Sequence, residues 1–214
     1  PGMMAFEDVQ VQLVDTPAVA AGHTEPWLPN LVRAADGVLV VVEVEADEPE
    51  EGWRAVADLL DRARVLPRGL VRAAGASPLL VERPVLVLAN KCDLPGALEI
   101  LPLLEESLAG RFRPIPISAE RGDGLAEIPG SVFRALDLVR VYPKEPGKPP
   151  DMTSPFALKR GSTVGDLAAR IHRDFPDSLR EAKVWGSARF AGQAVPRDHV
   201  LSDKDVVELH VDVD

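Results

Sequence analysis

Two apolar, valine-rich runs, residues 38–44 (VLVVVEV) and 85–89 (VLVLA), constrain this chain more than any other feature. A strand with one wet face alternates apolar and polar residues. A nearly continuous apolar run bounded by turn residues reads instead as a strand buried on both faces, the habit of parallel sheets. Residues 9–14 (VQVQLV) alternate and then turn apolar, and residues 113–118 (RPIPIS) are a shorter candidate. Helical patterns fall between these runs, at 27–35, 53–64, 98–109 and 125–138. Strand and helix therefore alternate. The fold class is α/β, with a mostly parallel sheet, helices on both faces, and ligands bound at the carboxyl ends of the strands.

Polar clusters mark those ends. Asp15 closes the first strand, Asn90-Lys91-Cys92-Asp93 the third and Ser118-Ala119-Glu120 the fourth. Each alone reads first as a cap or turn. Together, at the ends of successive buried strands, they point to a shared ligand site. The spacing Asn90-Lys-x-Asp93 suits guanine. A carboxylate accepts two parallel hydrogen bonds from the N1 and N2 donors of that base, whereas adenine offers an acceptor at N1. Asn90 would tie neighbouring loops or reach the other edge of the base, the Lys91 stem would lie over the ring, and the Ser118-Ala119 turn would present an amide to the O6 acceptor.

Composition sets the frame around this site. With 214 residues, 46% hydrophobic and 27% charged, the chain is an ordinary globular sequence long enough for one large or two small domains. The formal net charge of −10 argues against coating nucleic acid by bulk charge. All of the excess lies before residue 138, much of it in Glu43, Glu45, Asp47, Glu48, Glu50 and Glu51, which read as a solvated loop and helix start. A single cysteine, Cys92, points to a reducing, cytoplasmic compartment. No apolar run reaches the roughly 18 residues of a membrane span, so no membrane partner is expected. The sequence opens on Pro1 and is in an apolar strand by residue 13, which reads as a fragment. Prolines 143, 146, 149, 150 and 155 exclude a helix there. Two domains are expected, 1–138 and 139–214, with 139–155 as linker or extended arm.

Beyond that arm, residues 156–160 read as a strand and Thr163 as the N-cap of a helix over 164–175. Trp185 lies in a short strand and residues 206–211 alternate. His172 reads as a satisfied helix residue, and His199 and His210 lack neighbours at metal-ligand spacing, so no structural metal is expected. Trp185 reads as core. Lys144, Lys148, Lys159 and Arg160 read either as a solvated face or as contacts to RNA phosphates.

The order and spacing of these motifs resemble an Obg-related GTPase of the developmentally regulated GTP-binding (DRG-like) branch. Asp15-Thr16-Pro17-Ala18 resembles its magnesium and γ-phosphate motif, Asn90-Lys-Cys-Asp93 its guanine motif and Ser118-Ala119 its last base loop. Val139-Arg-Val-Tyr142, Lys144-Glu-Pro-Gly147, Val184-Trp-Gly186 and Asp205-Val-Val-Glu208 resemble its C-terminal TGS domain, a β-grasp. The resemblance implies a P-loop NTPase-type G domain, cut after its first switch, followed by a TGS binding module. Asp15 would hold Mg²⁺ through water and Ala18 would approach the γ-phosphate of GTP. A Gly-x-x-x-x-Gly-Lys-Ser/Thr loop is absent from these residues, and Ala18 replaces a more permissive glycine. Weak GTP or GDP binding is therefore expected, with no catalytic residue in this chain. The function implied is a GTP-dependent switch associated with ribosomes or other RNA, whose TGS domain docks a partner. The alternative is a non-catalytic RNA- or protein-interaction protein whose nucleotide half is scaffold.

Overall fold

The computed structural model describes residues 1–20, 24–44, 49–70, 78–108 and 110–212. Much of the acidic run (Glu45, Asp47 and Glu48) lies outside them. The first element is a hairpin, β1 (Gly2–Phe6) and β2 (Val9–Leu13), joined by a two-residue turn at Glu7 and Asp8. Glu7 takes φ 49, as a tight turn requires. The chain then divides into two compact units. One comprises Pro1–Gly2 and Val14–Leu136; the other comprises Met3–Leu13 and Asp137–Asp214, so most of the hairpin groups with the C-terminal unit.

The first unit contains α1 (Leu28–Ala34), β3 (Val38–Glu43), α2 (Pro49–Arg62), β4 (Val65–Pro67), β5 (Val81–Arg83), β6 (Val85–Asn90), α3 (Ala97–Ser107), β7 (Ile115–Pro116) and α4 (Ile128–Leu136). Its sheet runs β3-β6-β7, all parallel, with Glu43 opposite Asn90 and Leu88 opposite Ile115. β4 and β5 form a separate parallel pair that three-residue runs could not announce. β6 is buried on both faces. Val85, Val87 and Ala89 join a core with Leu28, Val32, Leu59, Leu60 and Leu104 from α1, α2 and α3. Leu88 is also buried, and α4 packs on β6 while burying Val132, Phe133 and Leu136. β3 corrects the sequence reading, because Val41 is 57% exposed. The expected first strand is corrected too: β2 pairs with β1 and is not hydrogen-bonded into the parallel sheet.

The second unit is a five-stranded mixed sheet, β11-β10-β12-β8-β9, built from β8 (Leu138–Lys144), β9 (Phe156–Lys159), β10 (Leu179–Trp185), β11 (Gln193–Val195) and β12 (Asp205–Val211). Its central pair, β12 and β8, is parallel and the other pairings are antiparallel. The helix α5 (Val164–Ile171) contributes Val164 and Leu167 to a core with Val139, Val141, Val184 and Val207. Thr163 caps it as expected, in a reciprocal capping box with Asp166. α5 stops at Ile171 rather than running to 175, and a short α6 (Phe175–Ser178) follows. Pro176 sits in the first turn of α6, where no amide donor is needed. His172 is therefore an extended C-cap outside the helix, and its Nδ1 accepts the Asp174 amide at 3.3 Å. The start of the expected 139–155 arm is strand β8. Pro143 needs no amide donor to sit in it, and the β8–β12 register continues past this residue to Lys144.

Candidate functional site

β6 delivers Asn90 to the carboxyl end of the parallel sheet, where the chain turns sharply at Lys91 (φ 67). The Asn90 side-chain oxygen accepts the Ala119 amide at 3.0 Å, which ties the end of β6 to the loop after β7. Backbone bonds brace the same junction. The Cys92 amide donates to the Ile117 carbonyl at 3.0 Å, and the Val44 amide to the Asn90 carbonyl at 3.1 Å.

Asp93 lies in this junction with its side chain 9% exposed. The hydroxyl of buried Ser118 donates to its carboxylate, which holds Asp93 below the usual carboxylate range against the opposing effect of burial; its own amide and Arg121, at 3.7 Å, act in the same direction. The Ser118 hydroxyl also accepts the Arg121 amide at 3.1 Å. The loop closes through Gly124 (φ 74), where a Cβ would stand 2.5 Å from the Pro116 carbonyl oxygen. The result is a shielded, ionised carboxylate with acceptor capacity left for paired donors. The Lys91 ammonium pairs with Glu43 at 3.0 Å.

The structure thus brings Asn90, Lys91, Asp93, Ser118 and Ala119 together. Asp15, Thr16, Pro17 and Ala18 are exposed in the irregular segment after β2, and among the described residues no hydrogen bond joins them to that cluster. Val19, next in line, packs against the core. No group of three or more His, Cys, Asp or Glu side chains converges as a metal cage among the described residues. Asp15 offers a single exposed carboxylate, which suits at most a hydrated Mg²⁺ held through water and not a fully protein-ligated ion. Glu43 and Arg121 were missed from sequence. Glu43 ends β3 directly opposite Asn90, so the strand-end argument applied to the Asn90 cluster would have found it.

Of the expected RNA contacts, Lys144, Lys148 and Arg160 carry acidic partners. Lys144 pairs with buried Glu208 and lies 5.0 Å from the centroid of the Trp185 ring, Lys148 meets Glu145 at 2.5 Å, and Arg160 meets Asp137 at 2.6 Å. Lys159 is an exposed residue of β9. Trp185 is half-buried. A cavity of about 600 Å³ lined by Trp53, Leu60, Leu66, Leu108 and Phe112 contains none of the residues singled out above.

Comparison with known proteins decides the second unit, because a family model for the TGS domain matches residues 139–211. These residues are a TGS domain. The chain is 26% identical to the uncharacterized GTP-binding protein MJ1326 of Methanocaldococcus jannaschii, with 98% of this chain and 68% of that protein covered. That alignment runs over 266 positions, more than the 214 residues here, so the archaeal protein carries residues this chain lacks. Developmentally-regulated GTP-binding protein 1 of Xenopus laevis is 36% identical over 44% of the chain and 26% of its own length. Ribosome-interacting GTPase 1 of Saccharomyces cerevisiae is 33% identical over 59% of the chain and 33% of its own length. The Schizosaccharomyces pombe YchF GTPase structure superposes with a TM-score of 0.55 at 14% identity, covering 85% of this chain and 74% of that one, a likeness of fold. The relatives are GTP-binding proteins, and here the TGS domain follows an α/β unit with a parallel sheet. No helix among the described residues is long and apolar enough to cross a membrane.

Proposed function

We propose that the first unit binds a guanine nucleotide by its base and that the TGS domain docks the ribosome. The observation that supports base binding is the shielded Asp93 carboxylate held by Ser118, with Asn90 bracing the Ala119 loop beside it. In this reading Asp93 accepts the N1 and N2 donors of guanine, the Ser118-Ala119 turn faces O6, and Lys91 flanks the ring. Asp15 holds Mg²⁺ through water, and Thr16, Pro17 and Ala18 belong to the segment that faces the terminal phosphate. Ribosome docking is supported by the yeast relative, a ribosome-interacting GTPase. No residue of this chain is assigned a part in hydrolysis.

The Asp93→Asn substitution tests the reading. Exchanging an acceptor for a donor at the base edge reverses the preference from guanine toward xanthine, because each mismatched buried partner is left unpaired. Titration calorimetry of the full chain with GDP, XDP and Mg²⁺ is expected to show weak, millimolar GDP binding in the wild type and a reversed order in the variant. An unchanged order removes Asp93 as selector. No heat from either nucleotide leaves the second reading, an interaction protein with a scaffold α/β unit.

A further inference from the structure

Arg140 of β8 is a guanidinium with 5% of its side chain exposed, and three carboxylates surround it. Asp203 accepts from Nε at 3.0 Å and from Nη2 at 2.7 Å, a bidentate pair, and also takes the Arg140 backbone amide at 2.7 Å. Nη1 donates to Glu7 and, at 3.1 Å, to Asp8. The Tyr142 hydroxyl, on the same face of β8, donates to the other oxygen of Asp8. Lys204 adds a contact to Glu7 at 3.5 Å. Glu7 and Asp8 are the whole turn of the β1–β2 hairpin, more than 130 residues away in sequence. Without Glu7 and Asp8 the buried guanidinium keeps its charge balance through Asp203 but loses the two carboxylates its Nη1 donates to, so this contact set favours an acidic turn.

The hairpin also adjoins residues 15–18 in the chain. β2 ends at Leu13, and the segment Asp15 to Ala18 begins two residues later. We propose that the Arg140–Tyr142 face of the TGS sheet is a receptor for the acidic Glu7–Asp8 turn, and that this clasp couples the state of residues 15–18 to the TGS domain. The coupling rests on the nucleotide reading for what changes the state of residues 15–18; the clasp does not.

Hydrogen–deuterium exchange on the full chain tests both. Tyr142→Phe removes the phenol donor to Asp8 while keeping the ring in the sheet. Without nucleotide, this variant is expected to exchange about tenfold faster over residues 3–13, the loss of one bond to a charged group. Unchanged exchange there overturns the clasp. With GDP and Mg²⁺, the wild type is expected to slow over 88–93 and 117–123 and to change over 138–144 as well, and Tyr142→Phe to keep the first response and lose the second. A response confined to 88–93 and 117–123 in the wild type, or an undiminished response at 138–144 in the variant, overturns the coupling. No response at 88–93 overturns the nucleotide reading and the coupling with it, with the clasp still decided by the nucleotide-free comparison.

Discussion

Gly124 shows how much of the candidate site depends on single positions. Its φ of 74 is one that side-chain-bearing residues rarely adopt, and a methyl group there would press on backbone at Pro116 instead of on a flexible side chain. Gly124→Ala is expected to destabilise the first unit by about 2 kcal/mol, read as a lowered urea midpoint. Because the same loop carries Ser118, the variant should also weaken any guanine binding. At this scale much was legible. Asn90, Asp93 and Ser118 follow apolar runs whose ends are plain in the sequence, and polar residues there have few places to go but the rim of the sheet. Arg140 was illegible for the opposite reason: its partners Glu7 and Asp8 are ordinary surface-type residues with no local pattern linking them to a distant strand. Lys144 looked like a solvent cation because nothing in its neighbourhood announced Glu208.

Among the elements, α5 is the one whose start the sequence declared most clearly. Thr163 accepts the Asp166 amide, and Asp166 in turn accepts from the Thr163 amide at 2.7 Å. Thr163→Ala is expected to cost about 1 kcal/mol, measured by thermal unfolding followed by circular dichroism. Since α5 supplies Leu167 to the TGS core, the loss should register in the whole domain. Elements were misread where tertiary contact overrode local pattern. The alternation of residues 9–13 correctly announced a strand but not its partner, and apolar character alone could not tell that β6 is covered on both faces while β3 leaves Val41 in solvent. β4 and β5 were missed because three residues carry too little periodicity to count.

For the molecule as a whole, the acidic composition sets the pH response. Hydrogen bonds from Arg140 lower Glu7 and Asp203, and Ser118 does the same for Asp93. Burial of Asp8 acts to raise it, but donors from Tyr142 and Arg140 prevail and it too is lowered. Carboxylates lowered in the folded state favour folding above their unfolded values of about 4, and that contribution is lost as pH falls through the folded values. Urea midpoints are expected to be level between about pH 6 and 8 and to drop below about pH 4. Tyr142, whose bond to Asp8 is followed by burial as a cause, is pushed up to about 12. Its contribution is complete below about 10 and fades as pH rises toward the folded value, so an alkaline decline is expected in the wild type and a smaller one in Tyr142→Phe.

The position of β12 has a consequence for biosynthesis. It is the middle strand of five, yet it is the last of the five to be translated. Until it emerges, β8 and β10 have no common neighbour, and the nascent polypeptide presents two unsatisfied ladders of amides and carbonyls. Closure of this sheet is thus a late, long-range event, and a stalled or prematurely terminated product that stops short of Asp205 would lack the strand that joins one half of the sheet to the other.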